Sequence, residues 1–412
     1  MSTPGLALTP FIHLLINKVE IDMGYLRLIY ILFLVQTASS YLFSYKQSLL
    51  NADQKYYLVS KYSLYVRTVF SFASVAFLLL TKNYIVYLLI QIVMNLATNI
   101  VISMIADRLY PFLNKKGTLP KEERKSVLSN VKHLFIGSLS AKITNSTDNI
   151  LISLLVGTLS IGAYSSYTLI INSMTRILEQ LSSATIGSIG NLMAEGDKEY
   201  MDVVLKRLTF INFCPAMIGA VVFLCTSTPL VWLMFGKIYV MKVPVVYMCS
   251  FNFFLLILRN PLWQVMKVSG LFAKDKNTSI AGSAVNLVVS VIFGLKLGIL
   301  GILLGTTCTH IIQMVLKSRI LYREYLGFSG KSFNLQLVKY GVCCGLSLLG
   351  VGAVCSKIDL SHLYTAFFVR GTVSFVLVTL IIWVVFGRTD EFKYALETGR
   401  GMLLKFIPLK RK

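Results

Sequence analysis

Residues 208–230 read LTFINFCPAMIGAVVFLCTSTPL, 23 residues without one charged side chain. A helix of that length runs about 35 Å, enough to cross the roughly 30 Å hydrocarbon layer of a bilayer. Comparable apolar blocks recur on either side of it, separated by short basic or polar stretches. Eleven full spans are read in all: 24–46, 62–80, 84–106, 133–157, 162–191, 208–230, 244–268, 278–297, 299–318, 336–356 and 365–387. A twelfth apolar run, Leu6 to Ile16, is too short to span and contains Pro10. The whole chain of 412 residues follows the same pattern, with 55% apolar and 14% charged residues and a mean hydropathy of +0.70. A soluble domain carries about 25% charged residues. An ordinary cytosolic enzyme, a disordered chain and a coiled coil are therefore excluded. The expected fold is an all-α polytopic transmembrane helix bundle.

Forty Lys and Arg against 18 Asp and Glu give a net charge of +22. In a soluble protein that excess points to nucleic acid. In a membrane protein it is tested first against the excess of basic residues in cytoplasmic loops. The stretch after the third span carries Arg108, Lys115, Lys116, Lys121, Arg124, Lys125 and Lys132, which places it inside. Alternation from there puts 27 of the basic residues inside and six outside: Lys18, Lys82, Lys237, Lys242, Lys296 and Lys357. The charge is thus mostly topology, and no nucleic-acid partner is needed. The outside loops are too short for a catalytic domain, and the inside loops hold neither a GxxxxGK[ST] nor a GxGxxG phosphate cradle. Seven cysteines lie singly or adjacent in apolar blocks and four histidines are scattered, so neither a metal site nor a cofactor is expected.

Seven basic residues remain within spans: Arg27, Arg67, Lys142, Arg176, Arg259, Lys339 and Arg370. Two acids, Asp148 and Glu179, join them, for an interior charge of +5. Ionisable groups in hydrocarbon are costly unless they face a partner or a watery cavity. Arg27, Arg67, Lys339 and Arg370 sit near span ends, where a long side chain can reach the headgroups. Arg176, Glu179, Asp148 and Arg259 are nearer mid-span. Ser165, Thr168, Asn172, Arg176, Glu179 and Ser183 recur at intervals of three and four, which aligns them on one face of the fifth span. Ser138, Lys142, Asn145, Asp148 and Asn149 do the same on the fourth. The stripes are compatible with an Arg176–Glu179 pair of structural use only, or with an aqueous lumen that attracts anions. Arg259 is followed by Asn260 and Pro261 in mid-span, where proline kinks or breaks a helix. Such breaks mark binding sites or hinges in transporters, although they also occur without that role.

Three stretches, SYLFSYKQSLLNADQK (40–55), TDNILISLLVG (147–157) with SIGAYSSYTLIINSMTRILEQLSSATIGSIGNLMA (160–194), and KDKNTSIAGSAVNL (274–287), resemble Wzx-type oligosaccharide flippases. These belong to the multidrug/oligosaccharidyl-lipid/polysaccharide exporter superfamily, with MATE drug exporters as relatives. The resemblance implies a MATE-like architecture of two six-helix lobes around a cationic cavity, often with two further helices at the C-terminus. On that plan 1–107 is an incomplete N-terminal lobe, apparently lacking its first two helices, and 108–132 a basic cytoplasmic inter-lobe loop. Residues 133–318 are then the second six-helix lobe, 319–387 the extra helix pair and 388–412 a basic cytoplasmic tail. The implied activity is not enzymatic. It is transport of undecaprenyl-diphosphate-linked oligosaccharide across the bacterial plasma membrane for surface polysaccharide, by alternating access. Arg176, Arg259, Lys142, Arg370, Asn145 and Asn172 are the expected substrate-binding residues. Asp148 and Glu179 are candidates for coupling to H+ or Na+, and membrane lipids and polysaccharide-assembly proteins are the expected partners. The alternatives are a MATE-like multidrug or cation antiporter, which would favour an acidic cavity; a membrane polymerase or ligase, which would need a large outside loop; and a non-functional truncated remnant.

Overall fold

The structure, a computed structural model, describes residues 22–53, 55–114, 123, 147–183, 189, 192, 193, 195–269, 271–358 and 362–406. The chain divides into two compact units, Met1–Val131 and Lys132–Lys412. Nine helices among the described residues are long and apolar enough to cross a membrane. They coincide with nine of the eleven expected spans. The other two, 133–157 and 162–191, fall partly outside the described residues. The run Leu6 to Ile16 lies wholly outside them.

In the first unit α1 (Met23–Ser40), α2 (Ser44–Ala52), α3 (Tyr56–Thr81) and α4 (Tyr84–Leu109) follow one another. The expected span 24–46 ends early, because Phe43 takes a left-handed conformation (φ 59°) and the helix restarts as α2. The restart turns Lys46, expected in a loop, inward. Its buried Nζ donates to Asp107 Oδ2 and Ser103 Oγ of α4, both at 2.7 Å. A buried lysine is tolerated only with such a partner, and here it braces α2 on α4. Below it Asp53 accepts from Tyr110 Oη at 2.6 Å and pairs with Lys55 at 2.7 Å. Lys55, with Tyr110 in support, holds the Asp53 carboxyl below its ordinary range.

The second unit is built on α6 (Lys198–Phe235), 38 residues that contain Pro215 and Pro229. At about 57 Å it is longer than a bilayer core, so it continues well beyond the 208–230 stretch. The N-cap Asp197 starts it by accepting from Tyr200 N at 2.9 Å, as short polar side chains do at helix N-termini. Around its middle lie α7 (Val243–Leu258), α11 (Lys331–Ser356) and α12 (Leu363–Phe386). The shared core is aromatic. Phe213 stacks on Tyr340 with centroids 4.2 Å apart, and Phe210, Phe254 and Phe386 close around them. α9 (Phe272–Leu297) and α10 (Ile299–Ile320) form a tight hairpin turned by Gly298 (φ 60°). A side chain at Gly301 would strike the Phe293 carbonyl, and one at Gly305 would strike Ser290. Small residues here let two backbones touch, the usual means of packing helices within lipid.

Two segments gain detail. The 244–268 span is kinked, not unwound: α7 ends at Leu258 and α8 (Asn260–Val268) begins at once, with Arg259 between them still in helical geometry (φ −73°, ψ −17°). Pro261 falls in the first turn of α8, where a missing N–H costs least. The basic tail from Arg388 carries a helix, α13 (Asp390–Phe406), which packs on α6. Phe392 packs on Phe210, and the Arg207 guanidinium lies 4.6 Å from the centre of the Tyr394 ring.

Candidate functional site

A cavity of about 840 Å³ opens within the second unit. Its wall is supplied by α5 (Thr158–Ser183), the helical residues 147–155, the α7–α8 kink, α9 and α10. α5 is helical along its 26 residues yet too polar to rank among the apolar spans, and its polar stripe is the reason. Asn172, Arg176 and Glu179 of that stripe line the cavity, as do Asp148 and Arg259. Five of the eight sequence-predicted site residues are therefore brought together. Lys142 and Asn145 lie outside the described residues. Arg370 does not belong to the wall: its Nε and Nη2 donate to the Ile358 carbonyl at 3.3 and 2.8 Å, beyond the end of α11. A guanidinium near a helix end finds a free carbonyl there more cheaply than it crosses the bilayer core.

The i, i+3 pair of Arg176 and Glu179, one of the two readings of the stripe, is not formed. No ion pair joins them, and both side chains are exposed to the cavity. The expected interior charge of +5 is also not gathered here. Arg27 and Arg67 stand in the first unit, and Lys339 and Arg370 lie outside the wall. Among the described residues the wall carries two guanidiniums and two carboxylates, so its formal charges balance.

Each charge is held differently. Asp148 Oδ2 accepts from Thr306 Oγ1 at 2.8 Å, and Asn286 Nδ2 donates to the same hydroxyl oxygen at 3.3 Å. The other Asp148 oxygen is buried without a partner. Arg259 Nη1 contacts His310 Nδ1 at 2.8 Å and donates to Gln313 Oε1 at 3.4 Å. A guanidinium can only donate, so the imidazole accepts through Nδ1 and carries its proton on Nε2. The guanidinium lies 4.6 Å from the centre of the Trp263 ring, and the Lys317 ammonium lies 4.4 Å from that same centre. Lys317, almost fully buried, is paired with Asp275 of α9. Between these groups Asn252 donates to the Leu303 carbonyl and accepts from Thr307 Oγ1 at 2.7 Å. The result is a polar chamber in which a cation is held at the kink and a carboxylate is held apart from it.

Sequence reasoning missed His310, Gln313, Trp263, Asn286, Thr306 and Lys317. A signal was present. Thr306, His310, Gln313 and Lys317 recur at intervals of four, three and four, and so do Ser279, Ser283, Asn286 and Ser290. These are the spacings that revealed the stripe of α5. They are masked by the apolar residues between them, which face lipid and other helices.

A family model described as "Polysaccharide biosynthesis protein" matches residues 6–244. The solved structure of the lipid II flippase MurJ in an inward closed conformation is similar in fold, with a TM-score of 0.67 at 15% sequence identity. The match covers 94% of this chain and 82% of that one. No curated protein matches in sequence.

Proposed function

The chain belongs to the polysaccharide biosynthesis protein family, and we propose that within it this multi-pass membrane protein is a flippase for a lipid-linked oligosaccharide. The substrate would be an undecaprenyl-diphosphate-linked repeat unit, moved from the inner to the outer leaflet of a bacterial plasma membrane. One observation carries the reading: a large polar chamber in membrane-spanning helices holds a guanidinium whose hydrogen bonds, among the described residues, go to neutral acceptors and not to a carboxylate. A diphosphate entering the bilayer interior must exchange its water for charge-assisted donors, and the planar fork of arginine provides two at once. Arg259 and Arg176 take that role, with Asn172 offering hydrogen bonds to sugar hydroxyls. Lys142 and Asn145 are assigned to the same substrate by their place on the fourth span's stripe. Asp148 and Glu179 would tune the guanidiniums or carry a coupling ion, H+ or Na+. The kink at Arg259–Pro261 supplies the hinge that alternating access needs.

A balanced chamber gives the cation-exporter reading one point of support, the buried Asp148 oxygen with no partner. The two readings separate in one assay. In proteoliposomes, movement of a prenyl-diphosphate-linked oligosaccharide is read by access of an added glycosidase, beside uptake of a cationic dye. The expected result is protein-dependent movement of the lipid, slowed about tenfold by Arg259→Lys or Arg176→Ala and little changed by Arg67→Ala. Wild-type vesicles that take up the dye, but move the lipid no faster than protein-free vesicles, would replace flippase by cation exporter.

A further inference from the structure

Three lysines among the described residues show how a cation within this fold is commonly held. Lys46 is paired with Asp107, Lys206 with Asp202, and Lys317 with Asp275. Each is neutralised where it sits; the first and third pairs join two helices, and the second lies within α6. Arg259 is placed differently. Its contacts are the imidazole of His310, the amide oxygen of Gln313 and the face of Trp263, all uncharged. His310 and Gln313 are both buried on α10, one turn apart, so they present two acceptors to one guanidinium nitrogen. Among the described residues only Nη1 of Arg259 finds an acceptor, and Arg259 belongs to the cavity wall. Room for this arrangement comes from α9. A side chain at Gly282 would collide with the Gln313 amide, and the Gly282 carbonyl accepts from Thr309 Oγ1 at 3.2 Å.

Neutral acceptors fix a guanidinium's direction without cancelling its charge. A carboxylate in the same place would fix it better and spend the charge on the protein. We infer that His310 and Gln313 are positioning residues that hold Arg259 as the anion anchor of the cavity, fixing one edge of the guanidinium and leaving its other edge to a prenyl-linked diphosphate. The inference rests on the flippase reading and deepens it, because it says why this arginine engages the headgroup and what keeps it ready. Glu179, Arg176 and Asp148 face the same cavity, but none forms an ion pair with Arg259. Trp263 backs the same guanidinium: its ring centre lies 4.6 Å from Arg259 and 4.4 Å from the ammonium of Lys317, which Asp275 neutralises.

The decisive variants place a carboxylate where the neutral acceptor stands. In Asp or Asn at position 310, Oδ1 occupies about the place of the imidazole Nδ1. The full chain in nanodiscs is titrated with farnesyl diphosphate, with farnesol as the uncharged control, and thermal unfolding is followed in parallel. His310→Asn should bind farnesyl diphosphate within about threefold of wild type, since a neutral acceptor remains. His310→Asp should bind at least about tenfold more weakly while melting no lower than wild type, since the new ion pair supports the fold and consumes the charge. A residue of structural use alone would tolerate Asp as well as Asn. Should the variants at 310 fail to fold, Gln313→Glu makes the same test from the second acceptor. Diphosphate binding by a folded carboxylate variant equal to wild type overturns this inference alone. A folded His310→Asn that loses as much as His310→Asp also overturns it. Wild-type protein that binds farnesol as tightly as farnesyl diphosphate, or binds neither, overturns the flippase reading together with the inference.

Discussion

A lone histidine in an apolar helix reads as a small buried polar group, and His310 was legible as nothing more until Arg259 came within 2.8 Å of it. Charge reads similarly. Arg176, Arg259 and Asp148 could be singled out because ionisable groups at mid-span are expensive. What the sequence did not disclose was which of them would be neutralised. Lys46 and Lys317 were assigned to loops by hydropathy alone, yet both are buried and paired with carboxylates at long sequence separation, Asp107 and Asp275. Arg370, near a span end but expected among the substrate-binding residues, finds a backbone carbonyl instead. Pairing depends on where helices meet, and no local pattern encodes that. At this scale Gly282 offers a test that touches no charged group. Gly282→Val would push the Gln313 amide from its place and loosen the hold on Arg259. The expected outcome is a severalfold fall in farnesyl diphosphate binding, with the rest of the helix pair intact because α9 and α10 are also joined at Ser290 and Gly305. If Gln313 were ornamental, Gly282→Val would lower melting temperature and leave affinity alone.

The elements were more legible than their partners. Apolar blocks of about 20 residues marked nine helices that the structure confirms as long and apolar enough to span, because in lipid a backbone must satisfy its own hydrogen bonds. Hydropathy failed where an element departs from that rule. The Phe43 break produces a short α2 whose nine residues are no more apolar than a loop. α13 is amphipathic, with Asp390 and Glu391 in its first turn, and blends into a basic tail by composition. Its packing predicts a definite energetic role. Phe392 is partly buried against Phe210, and Arg207 covers Tyr394. Truncating a partly buried phenylalanine costs about 1–2 kcal/mol, less than the 3–5 kcal/mol of a core site. Phe392→Ala should therefore lower the melting temperature in detergent by a few degrees and make the 390–406 segment more open to protease. Unchanged proteolysis would mean that α13 rests on the membrane rather than on α6.

At the scale of the whole molecule, sidedness follows from charge rather than from contacts. Twenty-seven basic residues fall on one side and six on the other when the loops are alternated from a single choice of sign. A missed or surplus span would exchange inside for outside in every later loop, so the asymmetry is sensitive to the count. The physical cause is that basic segments close to a span are retained on the cytoplasmic side during insertion. Lys116 lies in the most basic stretch and Lys237 in the short turn between α6 and α7, so they should face opposite compartments. The protein has seven cysteines of its own, at least four of them buried, which are first replaced by Ala or Ser. Cysteine at 237 should then react with a membrane-impermeant maleimide on intact cells, and cysteine at 116 only after the membrane is opened. The sign matters for function as well as topology. Arg259 follows α7, which begins on the Lys237 side, and Lys317 ends α10 beside the basic Arg319 and Arg323, so on the expected sidedness the cation at the kink would lie toward the inner half of the bilayer. A headgroup arriving from the cytoplasm would meet it before reaching Asp148 and Thr306. Labelling of both positions from outside would invert or break that order, and loading of the chamber from the inner leaflet would have to be given up.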